Sequence, residues 1–283
     1  MKKNGHTLVL MSPSGLWLIA FFLIPLAIMA VYSFGSGSFD LIGQSFSLDT
    51  YVKFFNTPSF LNLLWRSTVI AFYTALLSVL MAYPIAYFLA FQAGSWRTSL
   101  LTIIIIPSWI SYLLRILAIK LILGSSGLLN SLLMGLGLVQ ESVPLLMYSR
   151  SAVMITLVYT WIPFAALPIF SALERIGKPL LEAASDLGSP PWKAFLRVTL
   201  PLSLPGVWAS FFFVFIPTLG EWVTPALMGG PQGIMYGNLI QDQFVRALNW
   251  PMGSVMSMVM TLLVIVFLMI LTRFIKLSEL LEG

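Results

Sequence analysis

Six long apolar runs constrain the fold of this 283-residue chain more than any other feature of its sequence. Each run is long enough to cross the ~30 Å hydrocarbon core of a bilayer, which takes roughly 20 helical residues. A hydrophobic content of 59% with only 9% charged residues is likewise far outside the range of soluble domains. We therefore predict an all-α integral membrane protein with a single transmembrane domain over residues 1–283. The predicted spans are 15–34, 65–91, 100–123, 147–173, 205–228 and 253–274.

Lysine and arginine residues predict the orientation of these spans, because basic residues concentrate in the cytoplasmic loops of membrane proteins. With a cytoplasmic N-terminus, nine of the 15 basic residues lie inside, and six spans place the C-terminus inside as well. The net charge of +5 then reflects topology and contact with anionic membrane lipid, and nothing in the sequence points to nucleic acid. The basic residues expected inside are Lys2, Lys3, Arg97, Arg175, Lys178, Lys193, Arg197, Arg273 and Lys276; those expected outside are Lys53, Arg66, Arg150 and Arg246.

Several kinds of chemistry are excluded by residues that the sequence lacks. Without cysteine there is no disulfide, iron–sulfur cluster or thiolate metal site, and a single histidine, His6, excludes His-based triads and His-rich zinc sites. The only glycine–lysine pair, Gly177-Lys178, lacks the rest of a phosphate-binding loop. We therefore predict that the chain is not an enzyme and holds no cofactor itself.

The longest polar interruption, residues 174–204, has the pattern of two short helices joined by a turn. Pro179 suits a first helical turn, and apolar residues follow it at helical spacing. Gly188, which can adopt a left-handed conformation, is predicted to end this first helix. Pro191 suits the start of a second helix, which we expect to end at Pro201. Under the predicted orientation, the segment lies in the cytoplasm.

The spacing within this segment resembles the "EAA" loop of bacterial binding-protein-dependent ABC importer permeases. Glu182-Ala183-Ala184 is followed after three residues by Gly188 and after nine more by Val198-Thr199-Leu200-Pro201, with valine where the family usually has isoleucine. The resemblance implies a type I permease fold whose loop docks in a groove of an ATP-binding subunit. The alternative is an amphipathic hairpin on the membrane surface, without a partner. The residues that the resemblance assigns to ATPase coupling are Glu182, Ala183, Ala184, Asp186 and Gly188.

The resemblance also implies a set of partners in the bacterial cytoplasmic (inner) membrane. A second homologous permease, two cytoplasmic ATP-binding subunits that hold ATP and Mg²⁺, and an external solute-binding protein, periplasmic or lipid-anchored, complete such an importer. ATP binding closes the ATPase pair, and the coupling loops carry that motion into the membrane helices.

Further blocks of sequence are similar to the first permease subunit of spermidine/putrescine ABC importers. Relatives that carry opines, iron complexes or other small solutes share much of this scaffold, so the same permease class with another cargo is an alternative. A secondary transporter or channel that needs no ATPase is a second alternative, which leaves the EAA spacing unexplained. The matching blocks are 113–116, 186–188, 220–231, 237–244 and 249–251.

Glu221 is the only acidic residue inside a predicted span, where a charged side chain is costly and usually faces the protein interior or water. Glycine, tryptophan and proline around it predict a broken helix, whose carboxylate, carbonyls and aromatic face suit a cation. The alternative is a structural carboxylate paired with Arg115 or Lys120, which are otherwise expected to anchor the outer end of the third span. The candidate substrate-path residues are Glu221, Trp222, Thr224, Tyr112 and Trp109.

Two weaker patterns also bear on the fold. Prolines within the spans are predicted to kink their helices. Outside the membrane, Ser47 suits a helix cap and residues 127–138 suit a short apolar helix, which together form either a surface for a solute-binding protein or a segment lying on lipid. The prolines within the spans are Pro25, Pro84, Pro107, Pro163, Pro168, Pro217 and Pro225.

Overall fold

The computed structural model describes residues 12–35 and 46–274, and their side chains as far as residue 270. Within these ranges the chain forms helices and turns, and no strand occurs. Six helical segments are long and apolar enough to cross a membrane, which confirms the predicted fold class and number of spans. They are Ser12–Ser33, Pro58–Phe91, Tyr112–Gly135, Arg150–Asp186, Pro191–Leu219 and Trp250–Ile270. The predicted positions of Lys2, Lys3, His6, the Arg273 side chain and Lys276 lie outside the described residues.

The helices have the following bounds. The α-helices are Ile24–Ser33, Asp49–Phe55, Pro58–Phe91, Arg97–Ile105, Tyr112–Leu123, Leu128–Gly135, Arg150–Asp186, Pro191–Ala194, Leu200–Leu219, Gly230–Gly233, Tyr236–Val245 and Trp250–Phe274. Wider π-helical turns occur at Ile19–Leu23, Phe195–Thr199 and Pro225–Gly229, and 3₁₀ turns at Gly94–Trp96, Ile106–Trp109 and Pro144–Leu146. The two short helices that the sequence predicts are formed, as Asp49–Phe55 and Leu128–Gly135, and the second of them is part of the third long apolar segment.

The described residues fall into two compact units. The smaller unit contains the first span, the helix Asp49–Phe55 and most of the sixth span. Ser47 Oγ accepts a hydrogen bond from Asp49 N at 3.0 Å at the start of that helix, as expected of a capping serine. Phe54 is fully buried, and its ring centre lies 5.8 Å from that of Phe60.

The larger unit contains the second to fifth spans, from Leu63 to Asn238. Small side chains at the contacts let helix backbones approach closely in lipid. Where the fourth and fifth spans meet, a Cβ atom on Gly206 would lie only 2.6 Å from Pro168 O, and Ser210 Oγ donates a hydrogen bond to Ala165 O at 2.6 Å. The second span buries a stripe of small residues, Ser67, Ala71, Thr74, Ala75, Ser78, Ala82 and Ala86.

The backbone differs from one proline of the spans to the next. Pro84, Pro163 and Pro168 lie within continuous helices, because neighbouring groups in a membrane bundle can satisfy the backbone groups that proline frees. At Pro107, by contrast, the α-helix passes into a 3₁₀ turn. Pro225 lies in a π-helical turn that follows the end of the fifth span.

The third predicted span, 100–123, is interrupted. Its helix breaks at Ile110-Ser111, where Ile110 adopts an extended conformation. The third long apolar segment of the structure is instead Tyr112–Gly135, which consists of two helices joined by a turn at residues 124–127. The twelve residues of Tyr112–Leu123 span only about 18 Å at 1.5 Å per residue.

The fifth predicted span, 205–228, is wrong at both bounds. The second short helix of the polar segment was predicted to end at Leu200-Pro201. It instead runs on into the fifth span, so that one helical segment extends from Pro191 to Leu219. A π-helical turn precedes the proline, and Leu200 N donates to Phe195 O, five residues back. Pro201 therefore falls in the first turn after a change of helical register, where its missing N–H costs little. Glu221 consequently lies just beyond the span rather than within it.

Candidate functional site

The first candidate site is a short helix between two glycines. Gly177, with φ 69° and ψ 160°, breaks the long helix Arg150–Asp186, so that the residues after it form a separate helical segment. Gly188, with φ 77°, ends that segment, and its N–H donates to Ser185 O at 2.8 Å. Both glycines hold a left-handed or similar conformation that side chains disfavour. This geometry confirms the predicted start after Gly177 and the predicted turn at Gly188.

We call residues 178–188 the knob, because it presents most of the motif to solvent. Glu182, Ala183, Asp186 and Gly188 are exposed, and Ala184 is half-buried. Leu187 is 87% exposed beside them. The knob therefore offers a small apolar contact flanked by two carboxylates, a combination suited to a partner's groove.

An ion pair links the base of the knob to the segment between the second and third spans. Arg97 donates to Glu174, which lies just before Gly177, and the Arg97 guanidinium lies 4.9 Å from the centre of the Phe170 ring. Arg97 also begins the helix Arg97–Ile105. The sequence indicates Arg97 only as a topological charge, since its partner is 77 positions away.

The second candidate site centres on the Glu221 carboxylate. Its Oε1 accepts hydrogen bonds from Val223 N at 2.9 Å and Thr224 N at 3.1 Å, so it caps the helical turn that follows. Its Oε2 accepts a hydrogen bond from the Tyr112 hydroxyl at 2.7 Å, and that hydroxyl lies 2.8 Å from Thr224 Oγ1. The structure thus brings together three of the five residues predicted for the substrate path.

The other two predicted path residues are exposed aromatic side chains close in sequence to members of this cluster. Trp222 follows Glu221 directly, with 46% of its surface exposed. Trp109 lies in the 3₁₀ turn Ile106–Trp109 and is 81% exposed. A third aromatic residue, Tyr112, contributes its hydroxyl rather than its ring face.

The proposed pairing of Glu221 with Arg115 or Lys120 is wrong for the described residues, where neither side chain forms an ion pair. Arg115 is buried rather than extended to the membrane surface, with 8% of its area exposed. It donates to Ile110 O at 3.2 Å, and so binds a carbonyl that the break before Tyr112 leaves available. The partners of Glu221 are instead a tyrosine hydroxyl and two backbone N–H groups.

Residues that the sequence did not assign hold the backbone around Glu221. Asn238 Nδ2 donates to Trp222 O at 2.7 Å. Gly237 packs so closely on the break that a Cβ atom would lie 2.5 Å from Gly220 O. Ser67 Oγ accepts from Tyr236 N at 2.7 Å. The only available signal was a polar asparagine beside a glycine in a block that matches the resembled family.

This arrangement fixes a carboxylate with neutral donors and leaves it room for another. An ionised carboxylate has about four acceptor positions, and three hydrogen bonds are formed here. Glu221 is partly exposed. No group of three or more acidic or histidine side chains suited to a metal ion occurs in the described part of the chain.

The chain is similar to membrane components of transport systems over most of its length. Residues 82–279 match the family model described as "Binding-protein-dependent transport system inner membrane component". The spermidine/putrescine transport system permease protein PotB of Escherichia coli is 34% identical over 258 residues, which cover 91% of this chain and 93% of that protein.

Solved structures share the fold at low sequence identity. A chain of a bacterial ABC transporter involved in the import of the acidic polysaccharide alginate superposes with a TM-score of 0.74 at 16% identity, covering 96% of both chains. A chain of the bacterial alginate ABC transporter in complex with an alginate pentasaccharide-bound periplasmic protein gives 0.73 at 17% identity, covering 97% of this chain and 96% of that one. These likenesses show the type I permease fold.

Proposed function

We infer the function of this chain from its family, because it belongs to the binding-protein-dependent transport system inner membrane components. It is a multi-pass permease subunit of an ABC importer, and we propose that its cargo is a polyamine such as spermidine or putrescine. The observation that carries the proposal is the 34% identity to a spermidine/putrescine permease over 91% of the chain. The acidic polysaccharide carried by the structural neighbours is opposite in charge to a polyamine, and at 16% identity it gives no guide to this cargo.

In this proposal the Glu221 carboxylate contacts a cationic amine of the cargo. Uncharged donors hold Glu221 in place, and within the described residues its carboxylate forms no salt bridge, so it can pair with a cation of the cargo. Trp222, half-exposed beside it, offers an aromatic face that attracts cations. Tyr112 and Thr224 orient the carboxylate, and Trp109 lies further along the same path.

The energy source in this proposal is a pair of separate ATP-binding subunits, which hold ATP and Mg²⁺ while this chain holds no cofactor. The knob docks on one of them, with Glu182 as the charged contact, Ala183 and Ala184 as the packing surface, and Asp186 and Gly188 completing the turn. A second homologous permease completes the membrane body, and an external solute-binding protein delivers the cargo. Both termini lie in the cytoplasm, and residues 1–283 act as one permease domain.

Uptake by the complete importer tests the cargo. The permease is expressed with its partner subunits in bacteria that lack their own polyamine uptake, and the initial rate of radiolabelled putrescine and spermidine entry is measured. We expect ATP-dependent uptake that unlabelled polyamines abolish by competition and that alginate oligosaccharides or iron complexes leave unchanged. Uptake of another solute that polyamines do not compete with would refute the polyamine assignment but keep the importer class.

A further inference from the structure

A cavity of about 490 Å³ opens on the larger unit, and neither Glu221 nor the knob is among the residues that line it. It lies where the helix Tyr112–Leu123 ends and the turn at residues 124–127 begins. One part of its lining is aliphatic, with Leu117 and Leu121, and the other is polar, with Lys120 and two serines of the turn. The presence of both aliphatic and polar side chains in the lining suits an amphiphilic ligand.

Among the described residues that line the cavity, Lys120 alone has a charged side chain. Its Nζ lies 5.7 Å from the centre of the Tyr148 ring, and it forms no ion pair within the described residues. The lysine belongs to the last turn of Tyr112–Leu123, where the negative end of the helix dipole favours a cation. A charged ammonium group with three donors is therefore available to an anion in the cavity.

Tyr148, the aromatic residue beside Lys120, has an unusual backbone conformation. Its φ of 51° lies in the left-handed region, which a residue with a side chain rarely adopts. Gly230 packs against it, since a Cβ atom on that glycine would lie 3.0 Å from Tyr148 O. Strained residues of this kind persist where surrounding structure demands them, often at binding sites. The lining of the cavity thus includes a residue with a strained backbone, whose ring lies beside the lysine.

We propose that this cavity binds the headgroup of an anionic phospholipid. Lys120 contacts the phosphate, and the exposed hydroxyls of Ser125 and Ser126 donate hydrogen bonds to its oxygens. The acyl chain lies along Leu117 and Leu121, and Leu121 is 77% exposed in an apolar membrane-spanning segment. A soluble anion makes no favourable contact with these aliphatic side chains, whereas a lipid acyl chain does, so a phospholipid fits the cavity better. Under the predicted orientation the site faces the outer leaflet.

Lipid retention by the purified importer tests the site. The complete complex is extracted, stripped with detergent and incubated with phosphatidylglycerol, and bound lipid is counted by native mass spectrometry. We expect Lys120→Gln to weaken phosphatidylglycerol binding about fivefold, because one lysine near a membrane surface contributes about that factor. Lys120→Arg keeps the charge and should keep binding near the wild-type level.

Lys53→Gln is the matched control, since it removes an exposed lysine on another helix, outside the cavity. It should bind phosphatidylglycerol as the wild type does. Phosphatidylcholine, in which the cationic choline offsets the charge of the phosphate, should bind more weakly than phosphatidylglycerol. Equal binding by Lys120→Gln and wild type would overturn the proposal, and displacement of the lipid by millimolar inorganic phosphate would reassign the cavity to a free anion.

Discussion

Glu221 divides its hydrogen bonds between two structural tasks, since Oε1 caps the turn at Val223 and Thr224 while Oε2 accepts from Tyr112. An alanine at this position removes the cap, the tyrosine's acceptor and the charge together. A loss of transport in that variant therefore does not tell which of the three matters. Glutamine separates them, because its carbonyl oxygen still caps the turn and its amide can still meet the tyrosine hydroxyl.

At the residue scale we predict that Glu221→Gln raises the KM for polyamine uptake about tenfold, since a charge-assisted hydrogen bond to an amine becomes a neutral one. Glu221→Ala should show the same defect and also lower the stability of the purified complex by about 1 kcal/mol, the usual effect of losing a helix cap. Initial uptake rates and thermal unfolding measure the two effects. Glu141→Gln, the same change at an exposed residue outside the helices, is the control. An unchanged KM in Glu221→Gln would show that the negative charge of Glu221 does not contribute to binding the cargo.

At the scale of elements, one helix joins the two candidate sites. Arg97–Ile105 begins at the Arg97–Glu174 pair beside the knob and leads to the break that precedes Tyr112, the partner of Glu221. Both side chains of the ion pair are more than a third exposed, so the pair adds at most about 1 kcal/mol of stability. We therefore expect the ion pair to affect the relative position of the two helices that it links more than the stability of the fold.

We predict that Arg97→Glu and Glu174→Arg each lower the amount of cargo imported per ATP hydrolysed, because like charges push the base of the knob away from Arg97–Ile105. The double exchange should restore the ratio, which is measured on the reconstituted importer as uptake and phosphate release. Reversing the exposed pair Arg246 and Asp242 is the matched control and should leave the ratio unchanged. Failure of the double exchange to rescue transport refutes a role for the pair in coupling.

At the scale of the whole molecule, an importer needs the motion at its cytoplasmic face to reach the membrane helices without being absorbed on the way. The fourth and fifth spans meet at Gly206 so closely that no side chain fits between their backbones. Such contacts move as one body, since packed interiors compress very little. The knob is attached to this body through Gly177 at one end and through the helix from Pro191 at the other.

We therefore predict that Glu182→Arg lowers the rate of ATP-dependent uptake at least tenfold. The reversed charge on the exposed knob opposes docking of the ATP-binding subunit, because like charges in close contact cost several kcal/mol. Co-purification of that subunit and uptake are measured together. Glu141→Arg, the same substitution outside the knob, should have no effect on either. Normal uptake by Glu182→Arg contradicts the coupling role of the knob.

Much of this architecture follows from the sequence, because apolar length determines which segments can cross a bilayer and Gly188 marks the left-handed turn of the knob. The break at Ile110-Ser111 could not be predicted from the sequence, because it lies inside an apolar run. The sequence around Pro107 does not distinguish it from Pro163, which lies within a continuous helix. The partners of Glu221 were missed for another reason: Tyr112 is 109 positions away, and no local pattern records such a contact.

The two positive-φ glycines at 177 and 188 also bear on how such a chain evolves. Each lies where regular helical hydrogen bonding stops, because neither backbone conformation continues an α-helix. The knob is therefore a separate helical segment with a glycine at each boundary. Under the proposed function, substitutions at its exposed residues change the contact with the ATP-binding subunit and leave the residues around Glu221 as they are, so the two candidate sites can diverge independently.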